Sequence, residues 1–121
     1  MGYYSGLIRY GVVKTDLSVE EFNCRWEMAK NSLIGTEREG YLDNYEWECH
    51  SDGLYLRMEE YFAKHYADRE LADFISSVIA PGTECILEFV GEDGFFWRYL
   101  ITRGKVDEIE YVKMVNGRRI D

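Results

Sequence analysis

Residues 16–22, DLSVEEF, constrain this chain more than any other stretch, because they leave little choice but a helix start. Ser18 can cap, Glu21 stands three residues on to complete a capping box, and Leu17 and Phe22 are placed to form a hydrophobic staple. A helix that begins here carries Val19, Phe22, Trp26, Ala29 and Leu33 on one face, with Gly35 as its left-handed stop. The same spacing predicts a second helix from about Asp68 to Ile79, with Leu71, Phe74, Ile75, Val78 and Ile79 inward. Asp68 is its expected cap, and Pro81-Gly82 ends it.

The remaining segments alternate with a period of two, the pattern of half-buried strands. A first strand is expected from about Tyr4 to Lys14, where Ile8, Tyr10 and Val12 alternate with Arg9 and Gly11. In YLDNYEWECH, Tyr45, Trp47 and Cys49 oppose Asn44, Glu46, Glu48 and His50. A Ser-Asp-Gly turn then returns LYLRMEEYF as the second arm of a hairpin. After the second helix the chain reads TECILEFV, FFWRYLIT and VDEIEYVKMV, with glycine turns between and no proline. The order β-α-β-β-α-β plus extra C-terminal strands predicts an α+β fold of the ferredoxin-like, split βαβ kind over residues 1–121 as one domain. Both helices would cover one face of an antiparallel sheet and leave the other open, either for the extra strands to curl over and close as a second small core or to serve as a binding surface. If Cys85, Leu87 and Phe89 face the helices, the more apolar set Phe95, Trp97, Tyr99 and Ile101 should join them, leaving Phe96, Arg98 and Leu100 outward.

With 46% hydrophobic and 31% charged residues the chain has the make-up of a globular protein. No run approaches the roughly 18 apolar residues of a membrane span, and the first residues lack a signal peptide's basic start, so the cytoplasm is the expected compartment. Cys24, Cys49 and Cys85 are odd in number and sit in apolar patterns, which predicts buried, reduced thiols. Charge is uneven: residues 1–34 carry four acids and four bases, 35–80 eleven and four, 81–121 eight and six. Of the net −9, −7 therefore lies in the middle segment, which disfavours binding to nucleic acid or anionic lipid and favours a basic partner surface. Duplex DNA, with one charge per about 1.7 Å, is far denser in charge, so a local acidic patch is expected rather than full DNA mimicry.

Catalytic patterns are sparse. His50 and His65 stand in no motif with a nucleophile, and no G-x-G-x-x-G or Walker sequence occurs. RGK at 103–105 and GRR at 117–119 read as soluble turns. Glu46, Glu48 and His50 share one strand face, the only spacing that suggests a metal or small ligand, although a row of charges is also the ordinary solvated side of a strand. Neither enzyme activity nor a cofactor is expected.

The opening MGYY, and the later run of helix, apolar strand, GEDG, aromatic-Trp-Arg-Tyr strand and closing Gly-Lys turn, resemble small uncharacterised acidic proteins of phages and mobile elements. The resemblance implies an inhibitor that binds and blocks a basic protein surface, such as a defence nuclease in the anti-CRISPR or anti-restriction manner. Glu46, Glu48, Glu59, Glu60, Phe96 and Arg98 are the expected partner-binding residues, and the open sheet face also offers a homodimer surface. A ligand module using the Glu46, Glu48, His50 row or a tyrosine-lined pocket, and a toxin-neutralising immunity protein, are the alternatives.

Overall fold

A computed structural model describes residues 5–9, 11–58, 62–63, 68–91, 94–111, 114–115 and 118–119. The chain runs β1 (Ser5–Arg9), β2 (Val12–Val13), α1 (Val19–Asn31), a 3-10 turn (Tyr41–Asn44), β3 (Tyr45–His50), β4 (Gly53–Met58), β5 (Phe62–Ala63) and α2 (Asp68–Val78). It continues as β6 (Cys85–Gly91), β7 (Phe96–Thr102), β8 (Lys105–Tyr111), β9 (Met114–Val115) and β10 (Arg118–Arg119). It is an α+β protein, and its paired strands are antiparallel throughout.

The ladders do not follow the ferredoxin-like order. One sheet runs β5-β1-β6-β7-β8, a second runs β2-β4-β3, and β9 pairs with β10 alone. The hairpin of β3 and β4 therefore leaves the sheet that a split βαβ unit would share. The cause lies in the first strand, expected as one piece over 4–14. It divides between Arg9 and Val12, giving β1 to the larger sheet and β2 to the smaller. Gly11 sits buried at the division, and a Cβ there would lie 2.0 Å from Cys85 Sγ. Only a residue without a side chain lets the backbone pass so close to β6.

Both helices form where their spacing places them. Ser18 Oγ accepts from the Glu21 amide at 3.1 Å, although the Glu21 carboxylate turns to Arg25 at 3.1 Å instead of back to the cap. α1 ends at Asn31, before the left-handed Gly35. On α2 the five expected inward residues are all buried. Its C-terminal end is tied down by Arg103, which donates to the Ile79 carbonyl at 3.0 Å, and by the Gly104 amide on Ser76 O at 3.0 Å.

One core joins both sheets. Leu87, Phe89, Tyr99 and Ile101 from the larger sheet, Tyr45, Leu54 and Leu56 from the smaller, and the inward faces of α1 and α2 belong to a single cluster. Phe22, Trp26, Trp47 and Phe74 meet at its centre, with ring centroids 4.9 to 6.2 Å apart, mostly edge to face. Such rings add about 0.5–1.5 kcal/mol per pair beyond their burial. Cys85, Leu87 and Phe89 lie opposite Ile101, Tyr99 and Trp97, so β7 turns its more apolar side to the helices as its alternation predicts.

The thiols depart from expectation. Only Cys85 is buried; Cys24 and Cys49 are exposed. Cys24 falls between Phe22 and Trp26 and so off the inward stripe of α1. Cys49 shares the inward side of β3 with Tyr45 and Trp47, but it stands at the strand end beside the turn.

Candidate functional site

The outward side of the hairpin carries Glu46, Glu48 and His50 on β3, with Tyr55 and Arg57 beside them on β4. Alternation puts these side chains on one surface, and the tight return at Gly53 (φ 146°) fixes the register. The Glu48 carboxylate accepts from Arg57 Nη1 at 2.6 Å and pairs with His50 Nε2 at 2.5 Å. The Arg57 bond, then the His50 contact, hold the Glu48 carboxyl below the usual glutamate range. Asp52 is likewise held low, chiefly by the Tyr55 hydroxyl at 2.6 Å. His50 also rests on the Tyr55 ring, with centroids 4.4 Å apart. Within the Glu46, Glu48, His50 row it is Glu48 and His50 that are paired, and among the described residues no group of three His, Cys, Asp or Glu side chains is placed to hold a metal.

The other expected binding residues lie elsewhere. Phe96 and Arg98 are on the larger sheet, on the side turned away from α2, where Arg98 stands opposite Glu88 and Ile109. Phe96 is only 8% exposed, whereas its neighbour Phe95, at 42%, and Ile109, at 45% on the Arg98 side of β8, are the exposed apolar residues here. Glu46 and Glu48 belong to the smaller sheet, so the structure does not assemble the expected residues on one surface. Glu59 and Glu60, and His65, lie outside the described residues.

A polar node was legible only as a helix cap. The Asp68 carboxylate accepts from Trp97 Nε1 at 2.8 Å and from the Tyr99 hydroxyl. Burial, then the Asp68 charge, push both the Tyr45 and Tyr99 hydroxyls well above the tyrosine range, so both stay protonated. The node ties the start of α2 to β7 and offers no nucleophile.

Among the described residues, concave surface is found beside the helices and at the end of the hairpin. A cavity of about 480 Å³ opens between α1 and α2, lined by Ala29, Leu33, Leu42 and Phe74 with Met28 at its edge. A second, of about 310 Å³, shares Leu33 and Leu42 with it and extends past Ile34 and Asp43. A third, of about 330 Å³, lies beside Val19, Cys49 and His50. None of the three is lined by tyrosine. Sequence reasoning passed over Met28 and Ile34, although a large apolar residue off the inward stripe of a helix is a readable sign of an unburied surface.

No protein-family model, curated sequence or solved structure gives a significant match to this chain.

Proposed function

We propose that the chain is a non-enzymatic interaction protein that binds and blocks a basic surface of a protein partner, in the manner of phage and mobile-element inhibitors. The observation that supports this most is the state of the cations in the acidic middle segment. Arg38 is held by Glu70 at 2.8 Å, Arg57 by Glu48 at 2.6 Å, and Arg69 by Asp73 at 3.1 Å. Its described bases are therefore spent on internal pairs, while Glu37 and Glu46 stay exposed with no ion pair within 4.0 Å among the described residues. The field presented outward is negative, and it attracts the cationic surface that any nuclease needs for its phosphate backbone. No helix among the described residues is long and apolar enough to cross a membrane.

Affinity capture with the wild-type chain and with Glu46→Lys/Glu48→Lys as paired baits tests this. The expected result is a basic protein, held at low salt, released as salt rises, captured more slowly by the charge-reversed bait and inhibited when bound. A partner indifferent to both salt and charge reversal defeats the proposal.

A further inference from the structure

The groove between α1 and α2 has the features of a docking site. Ala29, Leu33, Leu42 and Phe74 give it an apolar floor, and Met28 stands 64% exposed at its edge. A second cavity, lined by the end of α1 and residues 33–43 and by nothing from α2, adjoins it through Leu33 and Leu42, with Ile34 63% exposed beside it; each volume falls in the range of roughly 300–1,000 Å³ over which proteins seat ligand groups. The rim of the two cavities carries Glu27, Glu39, Asp43, Glu70 and Asp73 against Arg25 and Lys30, with Glu70 held from outside by Arg38 at 2.8 Å, so carboxylates outnumber cations along it. Lys30 is divided between Glu27 at 2.9 Å and Asp43 at 3.8 Å, and Arg69 between Asp73 at 3.1 Å and Glu108 at 3.4 Å. Glu39 accepts from the Gly35 amide at 2.8 Å and has no ion pair within 4.0 Å among the described residues.

We propose that this groove receives a basic amphipathic helix of a partner protein, an inference that rests on the interaction role above and names the surface used. Apolar side chains at i, i+3 or i+4, and i+7 would cover the floor between α1 and α2. Lysines or arginines on its flanks would meet carboxylates that now share one cation between two. A neutral apolar helix would leave those carboxylates without counter-charge, and a basic but non-amphipathic segment would leave Met28 and Ile34 in water.

The test uses the intact chain and a synthetic peptide of about five helical turns with leucines on one face and lysines beside them, a scrambled version, and a version with glutamate for lysine. The amphipathic basic peptide should bind at least about tenfold more tightly than either control, and its backbone amide shifts should centre on Leu33, Leu42 and Phe74. Met28→Lys should weaken it by about tenfold, whereas Asn23→Lys, the same charge change on α1 outside the groove, should not. Equal binding of the scrambled peptide, equal loss in both variants, or shifts centred on the hairpin overturn the groove assignment. So does a self-association that Met28→Lys dissolves, which would make a second copy the occupant. If captured partners respond to Glu46→Lys/Glu48→Lys but not to Met28→Lys, the groove fails while the interaction role stands. Indifference of those partners to salt and charge reversal defeats the role itself.

Discussion

Asp68 serves two donors from β7 at once, and its removal would take from the buried Tyr99 hydroxyl the carboxylate to which it donates. Asp68→Ala is expected to cost about 1–3 kcal/mol for that buried hydroxyl. Asp68→Asn should cost less, because its amide oxygen still accepts, and urea unfolding of the two variants checks the order. The thiols give a second residue-scale expectation. Cys24 and Cys49 should react quickly with a thiol reagent in the native protein and Cys85 only on unfolding, seen as two fast modifications by mass spectrometry. Why β3 misled is clear from Cys49: alternation assigns a side of the strand, but burial depends on whether anything lies above that side. Asp68 was misread for a related reason, since an acid at a helix start caps by default and only the folded sheet brings Trp97 and Tyr99 to it.

Elements were readable where their causes are local. Ser18, three residues from the amide it accepts, fixes the start of α1 whatever the rest of the chain does, and the five inward residues of α2 repeat within its own turns. The Glu46 to Arg57 register is equally local, set by a short return at Gly53. The break between β1 and β2 was not readable, because the close approach of Gly11 at the break is to Cys85, far along the chain. Nothing in the alternation of residues 4–14 reports that contact. Gly11→Ala should therefore destabilise the protein by about 1–3 kcal/mol, the usual cost of forcing atoms into a packed site. Cys85→Ala in the same chain should recover part of that loss. A double-mutant cycle from denaturant melts measures the coupling, and additive losses would show that the close approach is not what demands glycine.

For the whole molecule, the buried tyrosines set the alkaline limit. Tyr45 and Tyr99 have folded pKa values raised above the ordinary value near 10. Their contribution is complete below about pH 10 and is lost as pH rises towards the folded values, because the unfolded chain ionises first. Thermal melts should hold steady to about pH 10 and then fall, and the part of the tyrosinate absorbance that Tyr45→Phe and Tyr99→Phe remove should appear together with unfolding rather than before it. Glu48 and Asp52 act with the opposite sign. Their lowered values give a contribution present above about pH 4 and lost as pH falls further, and both groups are exposed, so this arm should be shallow. The two helices and most strands follow from residue patterns, whereas the division into two sheets and the α1–α2 groove depend on packing between distant elements.

The divided first strand also sets an order of events during synthesis. Residues 5–13 leave the ribosome ahead of their partners: Val12 and Val13 must wait for Tyr55 and Leu54, and Ser5 to Leu7 must wait for Phe89 to Gly91. No sheet that includes the start of the chain can close until its partners have emerged, and the larger one needs β6. Pairings this distant in sequence slow folding, because the chain loses the entropy of a long loop before any contact rewards it. A nascent chain stalled before Cys85 could therefore close the smaller sheet over α1 but would lack β6 to β8, leaving the side of α2 that meets β7 open to whatever chaperone is near.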